Sequence, residues 1–250
     1  MVHRQPAAWE KVSLCDYPGR LCSVLFCSGC PFRCPFCYNR DLVLPERIEQ
    51  IPERVNLDDV LSYLTKRRSS IGAVCVTGGE PLMSVAGLSL LRELRPLGIK
   101  VKLDTNGYYP ETLQDVLTEG LVDYVAMDVK NCPDRYAETC GLPTIDLGRI
   151  RASIQILCGE NVPVMFRTTV VRELHRFEDL AALSDWGFTS EPIVFTSFES
   201  SPNLIGSSLT AYAPNELDEI VGKIRKMGLI NVQLRGESAA NQKRGENYEV

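Results

Sequence analysis

Residues 21–37 read LCSVLFCSGCPFRCPFC and hold the main clue to the fold. They begin with a short apolar run, Leu21 to Phe26, which is too short for a helix and predicts a buried β-strand. Three cysteines then follow in a C-x3-C-x2-C spacing, at Cys30, Cys34 and Cys37. Pro31 and Pro35 argue against a helix here, because proline lacks the amide donor and clashes with the preceding turn. The stretch therefore predicts a strand followed by a loop that carries three thiols.

Further apolar runs of strand length occur along the rest of the chain. They are residues 73–76, 99–103, 124–127, 162–171, 193–198 and 230–234. Between them lie stretches of helical spacing, including apolar stripes that begin at Leu57 and Leu217; Asn56 is expected to cap the first helix and Pro214 to begin the second. Such alternation predicts an α/β fold with a parallel sheet, because parallel neighbours need a helix-length return. It leaves open a closed barrel, a part-closed barrel and an open sheet.

The composition is that of an ordinary globular chain. Its 250 residues are 44% hydrophobic and 24% charged, and 27 basic against 32 acidic side chains give a net charge of −5. This balance lacks the basic excess that binds phosphate backbones, so no nucleic acid partner is expected. No apolar run reaches the roughly 18 residues of a membrane span and no secretory signal is visible, which predicts a cytoplasmic protein without membrane contact. One domain is expected over residues 1–236, with a polar tail at 237–250.

The cysteines indicate a metal centre. Five of the ten fall within sixteen residues, a crowding that points to metal binding in a reducing compartment. Three thiolates suit an iron–sulfur cube with one iron left open for chemistry. The alternative is a zinc ribbon that uses Cys27 as fourth ligand, although its two C-x2-C pairs lie three residues apart rather than the roughly 15–20 of an ordinary ribbon. Cys132 and Cys140 are a weaker candidate pair for an auxiliary metal.

The cysteine spacing, with the aromatic Phe36 directly before the last cysteine, resembles the hallmark of the radical S-adenosylmethionine (SAM) superfamily. Other stretches resemble the anaerobic ribonucleoside-triphosphate reductase activating proteins and, by the same motifs, the related pyruvate formate-lyase activating enzymes. These stretches are SLCDYPG at 13–19, GC at 29–30, GGEP at 78–81, KLDTNG at 102–107, YVAMDVK at 124–130, FRTTV at 166–170 and LRG at 234–236.

The resemblance implies a fold, a reaction and two cofactors. The fold would be a partial (β/α)6 TIM-type barrel. A [4Fe–4S] cluster would be held by Cys30, Cys34 and Cys37, and its electron would cleave bound SAM to methionine and a 5′-deoxyadenosyl radical. The methionine ammonium of SAM would be received by Gly78, Gly79 and Glu80, where the absence of a Cβ lets the backbone approach the ligand. Phe36 and Tyr38 would lie beside the cofactors.

The resemblance assigns further polar residues at strand ends. A monovalent cation that touches the SAM carboxylate would be held by Asp104, Thr105, the Ala126 carbonyl and Asp128. The alternative for both aspartates is helix capping. Lys130 and Arg167 would contact the carboxylate or ribose of SAM, or would form ordinary salt bridges.

The resemblance also implies partners. The substrate would be a glycine of a glycyl radical enzyme, with anaerobic ribonucleotide reductase favoured, and the electron donor would be a flavodoxin or ferredoxin. Asp16 would contact the partner, although its Pro-Gly neighbours also predict a simple turn. The alternatives are activation of another glycyl radical enzyme, modification of a peptide or small metabolite, and a zinc-stabilised binding module without catalysis.

Two positions depart from the family pattern. Tyr38 stands where family members usually carry histidine, directly after the third cysteine. Phe198 and Glu199 stand where the pyruvate formate-lyase activating enzymes place a cofactor-binding histidine after a late strand. Because tyrosine keeps an aromatic ring and a polar tip, we expect a site with altered contacts around the cluster.

Overall fold

The computed structural model describes residues 6–51, 55–188 and 192–235, which form two compact units. The first unit contains the described residues within 1–33, 39–127 and 148–164. The second unit contains residues 34–38, 128–147 and the described residues from 165 onward. The predicted polar tail at 237–250 lies outside the described residues, and the single domain at 1–236 stays a prediction.

Every apolar run predicted as a strand is a strand in the structure. The strands are β1 Ala8–Ser13, β2 Cys22–Cys27, β3 Ala73–Gly78, β4 Lys100–Thr105, β5 Tyr124–Asp128, β6 Val164–Val170, β7 Ile193–Ser197 and β8 Val232–Leu234. β1 lies outside the predicted runs. Its sequence AWEKVS mixes apolar and charged residues, which suits an edge strand with one covered face, and so it lacks the continuous apolar run of a buried strand.

The strands of each unit pair in chain order. In the first unit β1 is antiparallel to β2, and β2, β3, β4 and β5 are successive parallel neighbours. In the second unit β6, β7 and β8 are parallel. Because parallel neighbours run in the same direction, their carboxyl ends lie along one edge of each sheet. In each unit, the loops at the carboxyl ends of the parallel strands hold most of that unit's predicted site residues.

Helices connect the strands, as the alternation predicts. They are α1 Arg40–Val43, α2 Pro45–Ile48, α3 Leu57–Arg67, α4 Val85–Leu94, α5 Pro110–Thr118, α6 Tyr136–Thr139, α7 Leu147–Gly159, α8 Phe177–Ala181 and α9 Pro214–Met227. The Asn56 side chain caps α3 by accepting from the amide of Asp58, and Pro214 begins α9, so both predicted helix starts are confirmed. None of the helices in the described ranges has the length and apolar character needed to span a bilayer.

Candidate active site

The glycine pair at the end of β3, Gly78 and Gly79, packs directly on the end of β2. The amide of Gly79 donates to the carbonyl oxygen of Cys27 at 2.8 Å, and the amide of Glu80 donates to that of Gly29 at 2.7 Å. A Cβ on Gly79 would lie 2.0 Å from the Gly29 oxygen, and Gly78 has a φ of +115°, which L side chains rarely adopt. Both positions therefore require glycine for this close approach of two backbones.

The Glu80 carboxylate ties the turn after β3 to the end of β4. It is 1% exposed. One oxygen accepts from the Leu82 amide at 3.0 Å and from the Thr105 hydroxyl at 2.8 Å, and the other accepts from the Asn106 amide at 2.7 Å. Charge-assisted bonds of this kind are about twice as strong as neutral ones. The carboxylate thus holds the two strand ends in a fixed arrangement.

The sulfur of Cys30 accepts two N–H hydrogen bonds in the first unit. One comes from the backbone of Phe32 at 3.5 Å and the other from the side chain of Asn106 at 3.6 Å. Nearby, the Asn39 side chain donates to the carbonyl of Gly78 at 2.8 Å. Hydrogen bonds to cysteine sulfurs are a feature of iron–sulfur sites, where they stabilise the thiolate and tune the potential.

Cys34 and Cys37 belong to the second unit. They lie in a turn in which the Cys37 amide donates to the Cys34 carbonyl at 3.0 Å, so the predicted loop is confirmed. Cys34 is buried, and a hydrogen bond with the thiol of Cys140 lowers the pKa of the Cys34 thiol, against the effect of its burial. Cys140, named above with Cys132 as a weaker candidate for an auxiliary metal, therefore contacts a predicted cluster ligand.

Asp128, Lys130 and Arg167 form an ion-paired triad in the second unit. The Asp128 carboxylate contacts the Lys130 ammonium at 3.0 Å and the Arg167 guanidinium at 2.8 Å. Burial alone would raise the pKa of Asp128, but the two cations hold it well below its usual range. The same pairing raises the pKa of Lys130 against the effect of burial. The triad stays fully charged at neutral pH.

Phe36 packs against His175, with the rings edge to face at 6.4 Å, and the Lys130 ammonium lies 5.8 Å from the Phe36 ring centre. His175 is buried, and burial lowers its pKa. The neutral ring accepts from the Val171 amide through Nδ1 at 3.1 Å and donates to the Lys130 carbonyl through Nε2 at 2.7 Å. His175 therefore contacts both the Phe36 ring and the backbone of Lys130, a member of the triad.

Tyr38 contacts the segment that follows β7. Its ring stacks on Phe198 at 6.1 Å with an interplanar angle of 20°, and its hydroxyl accepts from the Glu199 amide at 2.8 Å. The two departures from the family pattern are therefore in direct contact. Both substituted positions are aromatic, which allows the stacking.

The residues predicted to hold a cation already have charged or polar partners. Asp104 pairs with the buried Lys102, and Thr77 donates to Asp104 at 3.5 Å. The Thr105 hydroxyl donates to Glu80 and accepts from the Gly107 amide at 3.1 Å. Ala126 is buried within β5. The cation site stays a prediction.

Asp16 lies in the turn between β1 and β2. Its carboxylate accepts a 2.5 Å hydrogen bond from the Ser13 hydroxyl, and the neighbouring Leu14 is 84% exposed. The predicted turn is thus confirmed, and it presents an apolar side chain to solvent. A role in binding a partner stays a prediction.

Within residues 6–51, 55–188 and 192–235, no group of three or more His, Cys, Asp or Glu side chains is arranged to hold a metal ion. The ligand set Cys30, Cys34 and Cys37 stays a prediction. Burial raises the pKa of Cys27 to about 12, with the Glu80 charge adding to the effect, so this residue is a protonated thiol at neutral pH.

Sequence reasoning alone did not single out four of these contacting residues as parts of the site: Asn39, Asn106, Cys140 and His175. Asn106 lies within the KLDTNG stretch, and its position directly after the Asp-Thr pair was the available signal. For the others the local sequence carries no signal, because the site residues that they contact, Gly78, Cys34 and Lys130, lie at least 39 residues away along the chain.

Comparison with known proteins identifies the chain. The family model of the radical SAM superfamily matches residues 24–185. The chain belongs to the radical SAM superfamily. It is 31% identical over 230 residues to a putative glycyl-radical enzyme activating enzyme of Methanocaldococcus jannaschii, a match that covers 90% of this chain and 92% of that protein. This radical SAM enzyme therefore groups with the glycyl-radical enzyme activating enzymes, and the predicted enzyme class is confirmed.

Other similarities agree. The pyruvate formate-lyase 1-activating enzyme of Escherichia coli K12 is 27% identical over 168 residues, which are 66% of each chain. Among solved structures, Streptococcus suis SuiB bound to S-adenosylmethionine gives a TM-score of 0.64 at 14% identity, covering 86% of this chain and 50% of that one. The structure of native anSMEcpe with bound AdoMet gives 0.56 at 18% identity, covering 82% and 62%. These matches confirm the predicted radical SAM fold class.

Radical SAM enzymes use a [4Fe–4S] cluster and SAM, so this family membership implies both cofactors. The donor chemistry of the chain fits a thiolate-bound cluster, because Cys30 accepts two N–H bonds and the Cys34 thiol has a lowered pKa. The interpretation as a zinc-stabilised binding module is wrong, since the chain is a radical SAM enzyme.

Proposed function

We propose that this protein generates a glycyl radical on a partner enzyme, with anaerobic ribonucleotide reductase as the favoured partner. The 31% identity to a putative glycyl-radical enzyme activating enzyme over nearly the whole of both chains carries the proposal. A bound, reduced cluster would supply one electron for the reductive cleavage of SAM to methionine and a 5′-deoxyadenosyl group. The overall change would be the loss of one hydrogen atom from a glycine Cα of the partner, which would leave a glycyl radical there and 5′-deoxyadenosine as the second product.

In this proposal three thiolates, from Cys30, Cys34 and Cys37, bind the cluster. The backbone edge of Gly78 and Gly79 lies on the end of β2, three residues before Cys30, which supports its role in receiving the SAM ammonium. Glu80 acts through its three accepted hydrogen bonds, which fix that edge against β4. We therefore propose that Glu80 orients the backbone of Gly78 and Gly79 for binding the SAM ammonium.

The triad contributes charge in the second unit. Lys130 and Arg167 each bind Asp128, and these pairs hold both cations in place for a carboxylate or ribose of SAM. A monovalent cation held by Asp104, Thr105, the Ala126 carbonyl and Asp128 is the remaining part of the cofactor proposal. SAM affinity measured with potassium and with a large organic cation in its place tests that part.

The partner would dock at the exposed turn that carries Leu14 and Asp16, and a flavodoxin or ferredoxin in the cytoplasm would supply the electron. The order of the motifs along the chain supports the reductase as partner. A glycyl radical enzyme of the pyruvate formate-lyase type is the second candidate, because the activating enzyme of that system in Escherichia coli is 27% identical. Action on a peptide or small metabolite is the third.

The test is anaerobic reconstitution with iron and sulfide, followed by reduction in the presence of SAM. We expect 5′-deoxyadenosine and, with the correct partner coexpressed, a glycine-centred doublet in the electron paramagnetic resonance spectrum. No 5′-deoxyadenosine from a protein with an intact cluster would refute the chemistry. A doublet with pyruvate formate-lyase and none with the reductase would refute the favoured partner.

A further inference from the structure

Residues 198–206, directly after β7, contact the turn formed by residues 34–38, here called the cysteine turn. At the start of this segment the contact is made by Tyr38. The Tyr38 ring stacks on Phe198, which is 2% exposed, whereas Tyr38 itself is 43% exposed. The Tyr38 hydroxyl accepts the amide hydrogen of Glu199 at 2.8 Å. Tyr38 therefore covers Phe198 from the solvent side and binds the backbone next to it.

A second contact fastens the other end of the same segment. The Gly206 amide donates to the carbonyl oxygen of Pro35 at 2.7 Å. A Cβ on Gly206 would lie 2.6 Å from the Pro35 Cβ and 3.1 Å from its Cα, so the two backbones approach more closely than any other residue type allows. The two anchor points on the cysteine turn, Pro35 and Tyr38, flank Phe36 and Cys37.

We propose that residues 198–206 form a strap across the cysteine turn, and that Tyr38 and Gly206 are positioning residues which hold Cys34 and Cys37 for cluster binding and slow the loss of iron. The inference rests on the cluster assignment in the proposed function. Cys34, Pro35, Cys37 and Tyr38 are consecutive or nearly so in one turn, so a restraint on Pro35 and Tyr38 limits the motion of both thiols.

The strap explains why two unusual residues occur together. A tyrosine at position 38 supplies both a ring to stack on Phe198 and an acceptor for the Glu199 amide. Loss of either contact frees one end of the strap and leaves the other attached, so the effects of single substitutions should be partial and those of the double substitution larger.

The experiment measures iron release to a chelator from anaerobically reconstituted protein. Tyr38→Phe removes only the hydroxyl and keeps the stacked ring, Tyr38→Ala removes both, and Gly206→Ala forces the strap away from Pro35. Tyr63→Phe in α3 and Gly222→Ala in α9 are the matched controls, since a Cβ at Gly222 meets no atom within 4 Å. We expect release to be on the order of fivefold faster in Tyr38→Phe and faster still in the other two variants, but unchanged in the controls.

A merely structural role is separated by two further measurements. Urea unfolding of the metal-free proteins should change little between wild type and Tyr38→Phe, while iron release differs. Hydrogen exchange of the Glu199 and Gly206 amides in metal-free protein should be slow in wild type and should rise selectively at Glu199 in Tyr38→Phe.

The outcomes distinguish this inference from the proposed function. Wild type that binds no iron would refute the cluster assignment, and fast exchange at both amides in that same protein would refute the strap. Wild type that binds iron, with equal release rates in all loaded variants, would refute the strap and leave the proposed function standing.

Discussion

The Glu80 carboxylate accepts a 2.7 Å hydrogen bond from the backbone amide of Asn106, which ties the turn after β3 to the end of β4. The side chain of Asn106 in turn donates to the sulfur of Cys30. One buried carboxylate thus supports both the glycine edge and a predicted cluster ligand. Its importance can be measured directly.

Glu80→Gln should lower the free energy of unfolding by about 1–3 kcal/mol, because all three partners of the carboxylate are donors and an amide nitrogen would face one of them. Urea denaturation of the metal-free protein measures this loss. Glu119→Gln, which breaks an exposed pair with Arg92, is the control and should have a far smaller effect. Equal effects would contradict the role of Glu80.

Gly79→Ala should cost at least about 1–3 kcal/mol of stability and weaken SAM binding, because the new Cβ would lie 2.0 Å from a backbone oxygen that cannot move aside. Gly72→Ala, where a Cβ meets no atom within 4 Å, is the matched control just before β3. Calorimetric SAM titration and thermal unfolding check both variants. A stable Gly79→Ala protein with normal SAM affinity would rule out the close-approach argument.

Cys34 and Cys140 are buried thiols in contact, but only Cys34 is a proposed ligand. Cys34→Ala should abolish the [4Fe–4S] absorption after reconstitution, whereas Cys140→Ala should retain close to the wild-type iron content. Cys27→Ala should also retain it, since Cys27 lies outside the C-x3-C-x2-C set. Iron and sulfide analysis of the three variants tests whether Cys34 is a ligand and Cys27 and Cys140 are not, and loss of iron in Cys140→Ala would contradict this assignment.

Stability should fall as the pH drops below about 6.5, the pKa of histidine in the unfolded chain. Burial lowers the pKa of His175 in the folded protein, so between the two pKa values the unfolded state binds more protons and the free energy of unfolding rises with pH. The slope reaches at most about 1.4 kcal/mol per pH unit for this one group. Urea titrations of wild type and His175→Gln at several pH values test this, and an unchanged slope in the variant would exclude His175 as the cause.

Much of the fold could be predicted because its signals are local. The apolar runs predicted β2 to β8, and Asn56 and Pro214 predicted two helix starts. The prolines at 31 and 35 predicted that the cysteine segment is a loop. β1 could not be predicted because a half-covered edge strand has no continuous apolar run. The ion pairs of Lys130 and Arg167 are the salt bridges that the sequence left open as an alternative, and the contacts of Glu80, Lys130 and Arg167 with SAM stay predictions.

The sequence by itself determined the alternation of strands and helices, the cysteine spacing and the order of the motifs, since each depends on neighbours within a few residues. Only the tertiary structure decided that Glu80 joins two strand ends, that Cys140 contacts Cys34 and that Tyr38 binds the segment after β7. These contacts join residues 26, 106 and 161 positions apart along the chain. Their formation depends on the packing of distant segments, which short-range sequence patterns do not encode.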